Sequence, residues 1–329
     1  MCMSHQVLRV GVLRGGPSAE HEVSLNSGLS IIQAINENLS DKYRVYDIIV
    51  DKNGTWLIDG VPVSILDLHS KVDLVFNALH GTYGEDGKVQ ALLEWHSIPF
   101  TGSGSVGSAV GMNKSMSKRM FDSHGIKNPF GVIIESNEIK NNLDQIVSEL
   151  FKSFILPGVV KPGANGSSVG VTIVKNYDDL SQALTLASNY SDQVIIEEYI
   201  KGIEATCGVI ENFRGIRTYA LPPVEIRPKA DFFDFNAKYG SETQEICPAT
   251  FSNEIKKEIE NLAIKIHESF GLRHYSRSDF IIHPKKGIFV LEVNTLPGLT
   301  KESLFPKALR AVGSDIHHFV EHMIEMVRR

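Results

Sequence analysis

The chain has 329 residues, 42% hydrophobic and 22% charged, and its 33 Lys and Arg against 39 Asp and Glu give a formal net charge of -6. This is an ordinary globular composition with room for two or three domains, and it lacks the basic excess of a nucleic-acid footprint. No apolar run reaches membrane-span length and the polar start, Met-Cys-Met-Ser-His-Gln, is no signal peptide; three scattered cysteines (Cys2, Cys207, Cys247) without a CxxC pair favour a reducing cytoplasm.

In chain order, Leu8 to Leu13 reads as a short apolar strand. Gly15-Gly16-Pro17-Ser18 reads as a turn and the segment to Asn38 as a helix. Strands follow at Tyr43 to Val50 and Val72 to Leu79, then a Gly-rich loop and a helix near Val89 to His96. This βαβ alternation predicts a parallel sheet with ligands beyond the carboxyl ends of its strands. A different pattern begins after Thr101-Gly-Ser-Gly104: a helix from Lys114 to His124, then a strand from Phe154 to Lys161 that enters the glycine-rich stretch Gly163 to Gly170. Val171 to Val174 returns as a strand; a helix near Asp178 to Asn189 and a strand from Val194 to Glu197 come next. The last part carries longer antiparallel strands at Ala205 to Ile210, Tyr219 to Ile226, Asp279 to His283 and Ile288 to Val293. Lys229 to Thr250 reads as a polar mobile loop, and Asn253 to Phe270 and Asp315 to Val327 as helices.

Several of these segments carry chemistry, each beside a plainer reading. The Gly163 to Gly170 loop has little side-chain bulk and suits backbone N–H groups approaching phosphate, or is an exposed hairpin turn. It is no Walker A loop, and Gly11 to Gly16 is no GxGxxG fingerprint. Lys161 and Lys114 suit phosphate oxygens or snorkel to water. Glu197-Glu198-Tyr199-Ile200, with Glu204 behind it, suits an adenine and a ribose, or is an acidic strand end. His80 orients a small substrate or caps the next helix, and Glu85 and Asp86 are read as capping groups. Glu20 favours a helix N-terminus or holds a substrate ammonium. His317, His318 and His322 have partial helical spacing, but no carboxylate set completes a zinc site with them.

The strongest signal is Arg277-Ser-Asp279, a strand, a tight turn, then Leu-Glu292-Val-Asn294. Alternation puts Arg277 and Asp279 on one face, and Glu292 and Asn294 on one face. A hairpin loop centred between Lys285 and Lys286 sets Asp279 opposite Glu292 and Arg277 opposite Asn294. Hard oxygens on one patch suit Mg²⁺ carrying phosphates, and an adjacent guanidinium suits developing negative charge. The plainer reading is a structural salt bridge from Arg277 to Asp279 or Glu292.

The blocks GGPSAEHEVSLNSG, ALHGTYGEDG, PFTGSG, MNKSMSK, VVKPGANGSSVGV, EEYIKGIE, FDFNAKY, SRSDF and LEVNTLPGLTKESLFP occur in this order over nearly the whole chain. In this it closely resembles the D-alanine–D-alanine ligases of the ATP-grasp superfamily. The resemblance implies α/β and α+β architecture: an N-terminal parallel-sheet, Rossmann-like domain (residues 1–103) before an ATP-grasp fold whose two subdomains (104–204 and 205–329) clasp ATP. It implies ATP with two Mg²⁺ ions, Mn²⁺ as a substitute, D-alanine as substrate and a homodimer.

Carried over residue by residue, Lys114 and Lys161 match lysines on the phosphates. Glu197, Glu198, Tyr199 and Ile200 match the adenine segment, Glu204 the ribose ligand, Phe232 and Leu291 the walls of the slot, and Lys238 a further ATP contact. Asp279, Glu292 and Asn294 match the metal ligands, with Glu292 bridging; Arg277 and the Gly298 backbone match the oxyanion donors. Glu20, Ser167 and Tyr239 match a triad on the first D-alanine, whose subsite Val23 and His80 line. Ser303 and Leu304 match the second subsite. Small departures, such as Ser276 and Ser278 around Arg277 and Gly163-Ala-Asn in the loop, remove no ligand. The alternatives are ester formation of the D-alanyl-D-lactate type, another ATP-grasp carboxylate–amine ligase, and a nucleotide sensor without turnover. Tyr239 after Lys238 favours the dipeptide.

Overall fold

The computed structural model describes residues 7–164, 170–228 and 243–328. Among them are three sheets. The first takes β1 (Leu8–Gly15), β2 (Tyr43–Val50), β3 (Trp56–Ile58), β4 (Val61–Pro62) and β5 (Leu74–Asn77) in the order β4-β3-β2-β1-β5. β1 pairs parallel with both β2 and β5, as the βαβ pattern predicts. Helix α1 (His21–Asn38) covers this sheet because Ser24, Ser27, Gly28, Ile31, Ala34 and Ile35 recur at helical spacing and are buried. Helices α2 (Ile65–Lys71), α3 (Lys88–Trp95), α4 (Ser105–Met112) and α5 (Lys114–Ser123) follow; Asn113 caps α5 by accepting the Met116 N–H at 3.0 Å.

The second sheet is antiparallel, in the order β6-β9-β7-β8: β6 (Gly131–Glu135), β7 (Gly158–Pro162), β8 (Thr172–Val174) and β9 (Gln193–Glu198). Helices α6 (Ser136–Ser153), kinked at Asn142, and α7 (Leu180–Ala187) pack on it.

The third sheet carries β10 (Ile203–Phe213), β11 (Ile216–Ala220), β12 (Val224–Pro228), β13 (Thr243–Ile246), β14 (Tyr275–His283) and β15 (Gly287–Asn294). The stretch read as one strand from Tyr219 to Ile226 is two strands. Leu221-Pro222-Pro223 interrupts it because proline has no N–H for the ladder. Both pieces pair with β10, β11 at its far end and β12 at Glu204 to Thr206. The Lys229 to Thr250 loop is also corrected in part, since Thr243–Ile246 pairs with β12; residues 229–242 lie outside the described residues. Helix α8 (Asn253–Ser269) backs this sheet.

Helices α9 (Leu304–Ala311) and α10 (Ile316–Arg328) bring the chain end back to its beginning. Phe305, Phe319, Met323 and Ile324 share one core with Val10, Ile31 and Phe76, so the first sheet and the third are held by a common apolar seam. Removing such side chains from water is the main favourable term in folding. Among the described residues no helix is long and apolar enough to cross a membrane.

Candidate active site

The β14–β15 hairpin pairs Arg277 with Asn294 and Asp279 with Glu292, the register expected from the sequence. It reaches that register differently. His283 pairs with Gly287, so the turn centres on Lys285, and a bulge between Asp279 and Phe280 takes up Leu291. Continued regular pairing would set Leu291 opposite Asp279 and turn Glu292 to the buried face. With the bulge, Phe280 and Val290 stay in the core while Asp279 and Glu292 stand together on the other face.

The plainer salt-bridge reading is present in the same hairpin. Arg277 Nε donates to Asp279 Oδ1 at 2.9 Å and Nη2 to Oδ2 at 2.8 Å, a bidentate pair. The Thr206 hydroxyl also donates to Asp279 Oδ1, at 2.6 Å. Burial by itself lowers the pKa of the Arg277 guanidinium, but Asp279, Glu292 and, more weakly, Glu85 raise it further, so it stays charged. Lys114 Nζ lies 3.5 Å from Glu292 Oε2, and Asn294 Oδ1 accepts the Leu296 N–H at 3.0 Å.

The donor set fits a hard divalent cation. A carboxylate offers about four lone-pair positions and an amide oxygen two. The Arg277 and Thr206 bonds leave Asp279 Oδ2 able to take another partner, and one lone pair remains on Asn294 Oδ1. Oxygen-only ligands beside a lysine match Mg²⁺ that keeps company with phosphates.

At the second sheet, Lys161 is the next-to-last residue of β7 and its Nζ lies 2.6 Å from Glu197 Oε2; Lys118 Nζ donates to Glu197 Oε1 at 2.9 Å. Burial pushes the Glu197 carboxyl up, but the two lysines outweigh it and hold the group below the ordinary carboxylate range. Glu198 faces the other way along the strand, where it accepts the Phe130 N–H at 3.0 Å and lies 3.7 Å from Lys286 Nζ. The Tyr199 N–H is taken by the Pro157 carbonyl, and Ile200 is buried. Glu204 shares a face of β10 with Thr206, hence with Asp279. The Lys114 N–H bonds the Gly163 carbonyl at 2.8 Å, which ties the start of α5 to the glycine-rich stretch.

A second cluster is assembled across great sequence distances. His80 Nε2 and Ser27 Oγ lie 2.8 Å apart, and Ser27 Oγ also accepts the Leu299 N–H at 3.4 Å. His80 Nδ1 lies 3.5 Å from Glu85 Oε1, which accepts the Gly81 N–H at 2.9 Å. Glu85 therefore braces the loop instead of capping a helix; Asp86 does take the Lys88 N–H, at 3.1 Å. Gly81 sits at a φ of +69°, which favours glycine, and a Cβ there would also stand 2.7 Å from Glu20 Oε2 and 3.0 Å from the Ser18 side chain. Val23 sits half-buried one turn before Ser27. Beyond the hairpin, a Cβ on Gly298 would stand 2.9 Å from the Ser303 hydroxyl, and Ser303 and Thr300 share a 2.7 Å hydrogen bond just before Leu304. Ser167, Phe232, Lys238 and Tyr239 lie outside the described residues.

Two corrections concern side chains. The sequence reading passed over Lys118, although it stands one turn after Lys114 in the same helix. The sequence offers no carboxylate set to complete a zinc site with His317, His318 and His322, yet one carboxylate is close: Asp315 Oδ1 lies 2.6 Å and 3.1 Å from the Nδ1 atoms of His317 and His318. Asp315 precedes them at the head of α10 and accepts the His318 N–H at 3.4 Å, so helix capping already explains the cluster.

The family model described as D-ala D-ala ligase C-terminus matches residues 120–325, and the one described as D-ala D-ala ligase N-terminus matches residues 9–67 and 60–103. A D-alanine–D-alanine ligase of Trichlorobacter lovleyi is 39% identical over 318 residues, 96% of this chain and 93% of that protein. The chain belongs to the D-alanine–D-alanine ligase family. A D-alanine–D-alanine ligase of Pelotomaculum thermopropionicum is 35% identical over 321 residues, covering 97% of this chain and 96% of its own. Among solved structures, the VanG D-Ala:D-Ser ligase from Enterococcus faecalis superimposes with a TM-score of 0.85 at 29% identity, covering 98% of this chain and 100% of that one. D-alanyl-alanine synthetase A from Vibrio cholerae gives 0.86 at 28% identity, covering 98% and 99%. The fold is thus the ATP-grasp fold of this ligase family, and its enzymes use ATP.

Proposed function

We propose that this ligase joins two D-alanines into D-alanyl-D-alanine for peptidoglycan precursor synthesis, with ATP cleaved to ADP and phosphate. The observation that carries the reading is the paired set Arg277, Asp279, Glu292 and Asn294 on one face of the hairpin, with Lys114 against Glu292. A carboxylate is a poor electrophile because oxide is a poor leaving group. Its oxygen takes the γ-phosphoryl group of ATP, ADP departs, and an acyl phosphate results. The deprotonated amine of the second D-alanine then attacks the acyl carbon, and the tetrahedral species collapses with loss of phosphate.

In this scheme Asp279, Glu292 and Asn294 hold two Mg²⁺ ions, or Mn²⁺ in their place, which neutralise charge on the transferring phosphoryl group. Lys114 and Lys161 hold the phosphates. Glu197 to Ile200, Glu204 and Leu291 surround adenine and ribose, with Phe232 and Lys238. Positioning and charge neutralisation supply most of the rate in phosphoryl transfer. Arg277 and the Gly298 N–H take the oxyanion of the tetrahedral species. Glu20, with Ser167 and Tyr239, takes the ammonium of the first D-alanine, while Val23 and His80 line its subsite. Ser303 and the Leu304 N–H take the carboxylate of the second. Three domains with boundaries near residues 103 and 204, a homodimer and a cytoplasmic location complete the proposal and rest on the family resemblance.

Phosphate release from ATP with D-alanine, and with D-alanine plus D-lactate over a range of pH, tests it. Release with D-alanine alone, yielding the dipeptide, is expected. Release only with D-lactate present would replace the reading with ester formation, and no release with any D-amino acid would leave a nucleotide-binding sensor.

A further inference from the structure

Lys118 is 9% exposed and belongs to no role assigned above. Its ammonium has three protons and three acceptors: Asn128 Oδ1 at 2.8 Å, the Pro129 carbonyl at 2.5 Å and Glu197 Oε1 at 2.9 Å. Glu197, 4% exposed, divides its oxygens between Lys118 and Lys161. The two lysines are not equivalent. Lys118 is fixed at its remaining positions by the segment entering β6, so every donor it has is spent within the fold. Lys161 is the next-to-last residue of β7, and the proposed reading gives it the nucleotide phosphates.

An ammonium drawn to a phosphate holds its carboxylate partner less strongly. A buried carboxylate left without a counter-ion is strongly unfavourable and takes up a proton instead. With two lysines on Glu197, the departure of one leaves a neutral pair rather than a bare charge.

We propose that Lys118 is a positioning residue, the permanent counter-ion of Glu197, which frees Lys161 to engage the nucleotide. This rests on the ATP-site reading, and direct binding of Mg·ATP tests it without requiring turnover. Calorimetric titration would compare wild type, Lys118→Met and Lys118→Arg between pH 6.5 and 8.5. Lys118→Met should bind at least tenfold more weakly, and its Kd should climb further as pH rises, because release of Lys161 now requires Glu197 to gain a proton. Lys118→Arg, which keeps the charge, should recover most of the affinity and show the wild-type pH profile. The KM for D-alanine should stay within twofold of wild type in both variants.

A Lys118→Met Kd equal to wild type, or a loss of affinity with no added pH slope, would overturn the proposal. If Lys118→Met fails to fold, the same change is made in Glu197→Gln, which has no charge to balance. There it should add less than twofold to the Kd, and a further tenfold loss would overturn the proposal. Wild type that binds Mg·ATP but releases no phosphate with D-alanine would instead sink the ligase reading and leave this one standing.

Discussion

The hairpin and the proposed amino-acid end bring side chains together by opposite means. In the hairpin, four side chains converge because neighbouring strands pair in one register, and the longest sequence separation is that between Arg277 and Asn294. At the amino-acid end, Ser27 on α1, His80 after β5 and Leu299 beyond β15 meet through side-chain hydrogen bonds. Backbone pairing makes the first arrangement stiff and locally encoded. The second depends on the apolar seam that closes the first sheet against α9 and α10. The contrast implies that damage to the hairpin falls on the nucleotide, its metal and the chemistry, whereas damage at the other end falls on D-alanine affinity.

The largest expected effect tests the hairpin side of that contrast. Arg277→Ala should lower kcat by about several hundredfold, the 3–4 kcal/mol order seen for loss of an oxyanion donor. Mg·ATP affinity should change only a few-fold, since Asp279 keeps its Thr206 bond. Single-turnover kinetics beside nucleotide titration separates the two, and parallel loss of binding and turnover would count against the oxyanion role.

Next comes the seam between the two regions. The Gly102 N–H donates to His274 Nδ1 at 3.0 Å, and that bond requires a neutral ring. Burial, with the nearby Arg273 guanidinium, holds the imidazole pKa down to about 4. In the unfolded chain it returns to about 6.5. The unfolded state therefore binds more protons between these values, and stability is lost as pH falls from about 6.5 toward 4, by up to about 3 kcal/mol. His274→Asn, tolerated at the positive φ of 65° there, should flatten this part of the stability–pH curve in denaturant titrations. Curves that stay parallel would remove His274 from the account.

The smallest effect belongs to the amino-acid end. Ser27→Ala removes the bridge between His80 and Leu299, at roughly 1 kcal/mol. It should raise the KM for D-alanine about fivefold while the KM for ATP holds. A rise in both would mean that the two regions are not separable in this way.

The same contrast explains what could be read in advance. Alternation and turn placement alone put Arg277, Asp279, Glu292 and Asn294 on one face, although the bulge at Leu291 has no signal in the sequence. The expected turn centre and the real turn with its bulge lead to the same pairs at the site. The break at Pro222 and Pro223 carried a signal that was passed over, as did Lys118, one helical turn from Lys114. The bracing of Gly81 by Glu85 and the bridge through Ser27 had no local signal, because each depends on a contact that only the closed fold supplies. The resemblance to the ligase family implies roles for Glu20, His80 and Ser303 and assigns none to Ser27 or Lys118.

Titration of Mg·ATP into Glu292→Gln tests the hairpin assignment most directly. The substitution keeps the size of the side chain and removes the charge beside Lys114. Affinity at saturating Mg²⁺ should fall by tenfold or more, with a higher Mg²⁺ concentration needed for half-maximal binding. Wild-type affinity and an unchanged Mg²⁺ requirement would show that the carboxylate opposite Asp279 holds no metal, and the account of the site would fall with it.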